Sequence, residues 1–167
     1  MRLRRLKPGM VVAIAALVVL GIAIFAWLQK PRPAAPSLAD AGDAAEVAAG
    51  RKIYAADCAS CHGEKLQGQP NWQERNGDGK LPAPPHDATG HTWHHPDQQL
   101  FDIVKRGVAA IVPNYPTDMI GFGGKLSDRD IWNVLAYIKS TWPPDIQAKQ
   151  AKITRAAAQQ ATQPASP

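Results

Sequence analysis

Cys58-Ala59-Ser60-Cys61-His62 places two thiols and an imidazole within five consecutive residues. A C-x-x-C-H run is the pattern of covalent haem attachment. The spacing follows from the chemistry. Thiols three positions apart lie on one face of a helical turn, where both can bond the two vinyl groups of one haem. The next residue, His62, then offers an axial nitrogen to the iron, and neutral imidazole is a good iron donor. The chain has no other cysteine. Two other readings compete. A redox dithiol should follow a strand in a βαβ unit, and no stretch reads as parallel strands. A structural zinc site needs four ligands, which His91, His94 or His95 would have to complete. The haem reading makes haem c, attached once and covalently, the expected cofactor.

The N-terminus sets the expected compartment. Residues 1–9 carry Arg2, Arg4, Arg5 and Lys7 and no acid. Residues 10–28 are uncharged, about the length that crosses a bilayer as a helix. The basic flank stays on the cytoplasmic side, so the remainder faces outward. A cleaved signal peptide is the rival. Its apolar region should be shorter, with small residues at a cleavage site just beyond. Here Trp27, Gln29, Lys30 and Pro31 follow instead. The reading is an uncleaved single-pass anchor in the plasma (inner) membrane, with a domain in the periplasm or outside the cell. Either reading exports the thiols to an oxidising compartment.

The chain is formally +5. All fourteen acids lie between Asp40 and Asp145, where only ten Lys and Arg oppose them. The basic excess belongs to the N-terminal flank and the last residues. It therefore describes topology and a tail, and a nucleic-acid surface is not expected.

Residues 29–42, with Pro31, Pro33 and Pro36, read as a semi-extended linker. Residues 43–146 form one expected domain. Residues 147–167 are rich in Ala and Gln and poor in large apolar groups, so a disordered tail is expected there. Three helices can be placed in the domain, and no strand. The first runs over residues 43–57 into the Cys58 turn. The second begins at Pro96-Asp97, turns Leu100, Phe101 and Val104 inward and stops at Gly107. The third begins at Ser127, with Asp130 three residues on as a weak capping box. Ile131, Val134, Leu135 and Ile138 make its apolar stripe, and Pro143-Pro144 end it. The fold class is all-α, with long loops and haem filling space that a small core cannot fill.

The second axial ligand decides what the iron does. Met119 is the one methionine in the domain, in the loop NYPTDMIGFGGKLSD (residues 114–128). Gly121, Gly123 and Gly124 beside it would let backbone approach a flat ring. Its place before a capped last helix makes it the expected ligand rather than hydrophobic filler. The alternative is His86, His91, His94 or His95, all within PPHDATGHTWHHPDQQ (residues 84–99). One of them could give a bis-His iron, several could bind copper or zinc, or the loop could serve only to hydrogen-bond the haem and cap the second helix.

These residues resemble the class I c-type cytochromes. The resemblance covers residues 44–142 and is carried by VAAGRKIYAADCASCHGEKLQGQ (47–69), DQQLFDIVKRG (97–107), the Met119 loop and GGKLSDRDIWNVLAYIKSTWP (123–143). It is especially similar to membrane-anchored single-haem domains of bacterial respiratory chains, including haem-c subunits of terminal oxidases. The resemblance implies Gly50 and Tyr54 meeting the last helix near Val134, Leu135 and Ile138. It also implies haem c on Cys58 and Cys61, with His62 and Met119 as the iron's axial ligands. One departure is Ile120, where the family often has Pro after the ligand Met. The function implied is electron transfer between respiratory partners, with no catalysis of its own. Donor and acceptor are expected to be redox proteins, membrane complexes among them. The alternatives are the electron-transfer subunit of a larger redox enzyme, or a haem sensor or metal-handling protein.

Overall fold

A computed structural model describes residues 19–22, 25 and 39–163. The chain divides into two units, residues 1–34 and 35–167. In the first unit the described residues are helical, and Val19, Leu20, Ile22 and Phe25 are exposed. Most of the expected anchor at residues 10–28, its basic flank, and nearly all of the expected linker lie outside the described residues. Among the described residues no helix is long and apolar enough to cross a membrane.

The second unit is helical. Its elements are α1 (Ala44–Asp57), α2 (Ala59–His62), a 3-10 turn (Thr92–His94), α3 (Asp97–Arg106), α4 (Val108–Ile111), α5 (Asp128–Ser140) and α6 (Pro144–Ala161). Among the described residues the only β pairing is one isolated bridge, Gly107 with Ile120. The all-α expectation holds.

Local chemistry sets the helix ends. Asp43 caps α1, its carboxylate accepting from the backbone N–H of Ala45 and Glu46. Ser127 caps α5 in a reciprocal box with Asp130. Gly107, at φ +82°, ends α3. Pro143 and Pro144 act differently from expectation. Helix α5 already ends at Thr141, and Pro144 is the first residue of α6, where a missing N–H costs nothing.

Helix α1 packs on α5 more extensively than any other pair of elements. Gly50 is the reason they can approach. A Cβ there would lie 1.9 Å from the Asn133 carbonyl oxygen, so any larger residue would force the helices apart. The stripe on α5 feeds two apolar clusters. Ile131 and Leu135 join Leu100, Phe101, Ala136 and Ala39. Val134 and Ile138 join Tyr54, Leu66 and Trp142, with Cys58 and Ala59 packed against them. The second cluster thus forms the floor under the cysteine turn. The contact implied between Gly50, Tyr54 and the last part of the domain is present.

The expected tail is corrected. Residues 144–161 are helical, and Gln150 is fully buried. Gln150 Nε2 donates to the His95 carbonyl at 3.1 Å and to Asp97 Oδ1 at 2.7 Å. Thr154 Oγ1 accepts from the Asp97 N–H at 3.1 Å. Ile146 packs on the second cluster, and Lys149 Nζ lies 6.0 Å over the Trp93 ring. The helix docks largely through polar groups, which a search for large apolar residues cannot register.

Candidate functional site

Helix α1 runs into Cys58, which caps it, and α2 carries Ala59 to His62. Cys58 is half-buried and Cys61 exposed, and both thiols are free. Burial, then the neighbouring Asp57 and Cys61, push the Cys58 thiol up to about 11. It is therefore protonated at neutral pH, which slows its oxidation. Gly63, at φ +81°, turns the chain out of α2. The buried Tyr54 hydroxyl donates to the Gly63 carbonyl at 2.9 Å and ties this turn to α1.

The next segment folds back on residues 83–87. Gln69 N–H donates to the Ala83 carbonyl at 2.9 Å, and His86 N–H to the Leu66 carbonyl at 2.8 Å. Leu66 holds a left-handed backbone (φ 61°) while its side chain is buried in the second cluster. For a branched residue that conformation costs on the order of 1–3 kcal/mol, which the packing around it must offset. The fold-back brings the Pro84 carbonyl to 2.9 Å from His62 Nδ1. A carbonyl only accepts, so Nδ1 carries the proton and Nε2 keeps its lone pair. His62 is 8% exposed. Burial lowers its pKa, outweighing the opposing effect of the Pro84 bond. The result is a neutral imidazole held in one tautomer with a free donor nitrogen.

Met119 comes from a separate part of the chain and is partly buried. Its N–H donates to Thr117 Oγ1 at 3.0 Å. The loop is pinned on the end of α3. Phe122 N–H donates to the Val104 carbonyl and Gly123 N–H to the Lys105 carbonyl, each at 2.9 Å. Lys80 reaches across to Asp118, and the Arg75 guanidinium lies 5.5 Å over the Tyr115 ring. Two of the loop's glycines lie close to the backbone of α3. A Cβ on Gly121 would lie 2.7 Å from the Arg106 carbonyl carbon, and one on Gly123 would lie 2.9 Å from the Lys105 oxygen. Gly124 faces open space. The two tight positions let the loop lie against helix backbone.

The histidine loop does not gather into one centre. Among the described residues no three His, Cys, Asp or Glu are placed to hold a metal ion. His91 stacks on Trp72 with ring centroids 5.4 Å apart, and His95 meets His91 edge-on at 5.4 Å. His94 stacks on Trp93 at 3.6 Å. Burial, then His95 and His94, lower the His91 pKa. His86 lies apart from these three and stacks on His62 itself, centroids 3.9 Å apart and planes 23° from parallel. Burial, then His62 and His91, hold its pKa well below the usual imidazole range.

Two partners of His62 escaped sequence reading. The Pro84 carbonyl is a backbone atom, so no residue type announces it. His86 is the ring on its face, and the sequence marks it only as one of four clustered histidines.

The family model described as cytochrome c oxidase, cbb3-type, subunit III matches residues 45–138, more than half of the chain. The chain belongs to this family and is a class I c-type cytochrome. A thiosulfate dehydrogenase from Stutzerimonas stutzeri (strain A1501) is 32% identical over 112 residues, covering 67% of the cytochrome. The cytochrome spans 33% of that relative's length. No solved structure matches.

The cofactor of the cytochrome is haem c. The residues present suit it. Two unpaired thiols stand at the attachment spacing, and the imidazole beside them is neutral with its second nitrogen free. The cytochrome is an electron carrier, and electron carriers imply redox partners.

Proposed function

We propose that the protein is a membrane-tethered, single-haem electron carrier. It works between respiratory-chain partners on the outer side of the plasma membrane. The observation that carries the reading is His62, buried beside two free thiols with Nδ1 committed to the Pro84 carbonyl. Bound haem supplies a reversible one-electron ferric–ferrous couple. Cys58 and Cys61 would hold it through thioethers, and His62 Nε2 would be one ligand of the iron. Met119, in the loop pinned on the end of α3, would be the second. A thioether and an imidazole together would raise the potential and close the iron to exogenous ligands, which would suit transfer rather than catalysis. No side chain in this scheme needs to move a proton.

Replacing Met119 with Ala tests the second ligand. The ferric wild type should show the weak long-wavelength band of a sulfur–iron bond, and the variant should lose it. The ferrous variant should also bind carbon monoxide, which the wild type excludes. A band that survives in Met119→Ala would assign the sulfur elsewhere and reject the closed-shell reading.

Residues 10–28 are the anchor in this reading, with residues 1–9 on the cytoplasmic side and residues 29–42 as the linker. The uncharged stretch and its basic flank support it. A tether raises the local concentration of the haem domain at membrane partners. The mature protein should therefore keep residues 10–28, resist high-salt extraction and dissolve only in detergent. Replacing residues 1–30 with a cleavable signal should release a haem-loaded domain with an unchanged spectrum and slower turnover with membranes. A mature N-terminus beyond Leu28, with no lipid attached, would replace the tether with a soluble carrier.

The family match favours one second reading, a haem-c subunit within a larger redox complex. Co-purification from detergent-solubilised membranes separates the two. A stoichiometric partner that survives gel filtration indicates a subunit, and isolation alone indicates a carrier.

A further inference from the structure

We propose that His86 is a positioning residue that sets the plane of the His62 imidazole. The inference rests on His62 being an axial ligand. A single hydrogen bond from Nδ1 to the Pro84 carbonyl fixes one atom of the ring and leaves the ring free to tilt about that bond. The flat face of His86, 3.9 Å away and 23° from parallel, closes one direction of tilt.

A buttress must itself be held, and His86 is held at several points. Its N–H donates to the Leu66 carbonyl at 2.8 Å. Its carbonyl accepts from Trp142 Nε1 at 2.7 Å. On the ring, Nδ1 pairs with Thr92 Oγ1 at 2.8 Å. Thr92 is buried, and its hydroxyl proton points to the Pro85 carbonyl, so Nδ1 of His86 is the donor to Thr92. The Tyr54 ring meets His86 edge-on, centroids 6.3 Å apart. The short loop between residues 84 and 92 therefore contributes two things to His62, a hydrogen-bond acceptor and a stacked face. Groups beyond a metal's own ligands orient those ligands and tune the metal. An imidazole free to rotate would spread the ferric iron's unpaired spin over several orientations, whereas a fixed plane gives one.

The test uses the full-length ferric holoprotein and reads proton NMR and low-temperature EPR. In wild type, one set of hyperfine-shifted haem methyl resonances and one set of g-values are expected. His86→Leu removes the flat face, and should reorder or broaden the methyl resonances and displace the g-values. It should also speed hydrogen exchange at His62 Nδ1 by about tenfold, the scale of weakening one hydrogen bond. His86→Phe restores a flat face but not the bond to Thr92, and should displace the pattern clearly less than His86→Leu does. Thr92→Val keeps the ring but frees it from its anchor, and should give an intermediate displacement. A folded, haem-loaded His86→Leu with the wild-type spectrum overturns the inference, as does equal displacement in His86→Leu and His86→Phe. If His86→Leu yields no folded protein, the other two decide: Thr92→Val coincident with wild type overturns the inference. A wild-type spectrum without imidazole ligation is a different result, because it removes His62 as ligand and the role of His86 with it.

Discussion

Replacing both Cys58 and Cys61 with alanine leaves a chain that carries no haem. The wild-type protein should keep its haem through acid–acetone extraction and through denaturing electrophoresis, because thioether bonds survive both. The double variant should run colourless and without haem-linked peroxidase staining. Either single variant should keep one bond, and so retain haem with an altered spectrum. The effect should extend to the fold. Cys58 and Ala59 pack against the cluster of Tyr54, Leu66, Val134, Ile138 and Trp142, so an empty site removes apolar contact from one side of a small core. A lower thermal midpoint in the double variant would register this. Haem that acid–acetone extracts from the wild type would refute covalent attachment.

Asp97→Ala should be the most destabilising single change outside the haem site. Asp97 and Lys139 are 5% and 7% exposed, and Lys139 Nζ donates to both carboxylate oxygens at 2.9 and 2.8 Å. Gln150 Nε2 adds a bond to Oδ1 at 2.7 Å. Removing the carboxylate breaks a buried ion pair from one side, which typically costs about 3–5 kcal/mol. That is a large part of the ~5–15 kcal/mol stability of an ordinary domain. One bond partner of Gln150 goes as well, so α6 should loosen first. Urea unfolding followed by helix signal should show a markedly lower midpoint, and amide exchange should rise along residues 144–161. Replacing both members, Asp97→Leu with Lys139→Met, should recover much of the loss, since an apolar pair of similar volume is often neutral. A midpoint unchanged in Asp97→Ala would show that the pair contributes nothing to docking α6.

The legible features were those written in local spacing. The C-x-x-C-H run needs only five residues, so it reads without knowledge of the fold. The caps at Ser127 and Gly107 and the stripe from Ile131 to Ile138 are also local, and the helices stand where they indicate. The glycines of the Met119 loop were legible as a need for close approach, yet their partner was not. Spacing does not show that Gly121 and Gly123 lie against the carbonyl end of α3.

Tertiary structure decided the rest. The sequence by itself determined the cofactor motif, the helical class and the order of the helices, because each depends on neighbours within a turn or two. Only the fold brings the Pro84 carbonyl to His62, across 22 residues, since a backbone acceptor has no sequence signature. Only the fold separates His86, on the face of His62, from His91, His94 and His95 on their own aromatic partners. Only the fold turns an Ala- and Gln-rich tail into a docked helix. Its anchors, Gln150 and Thr154, are polar, and polar residues count as surface until a buried Asp97 is found waiting for them.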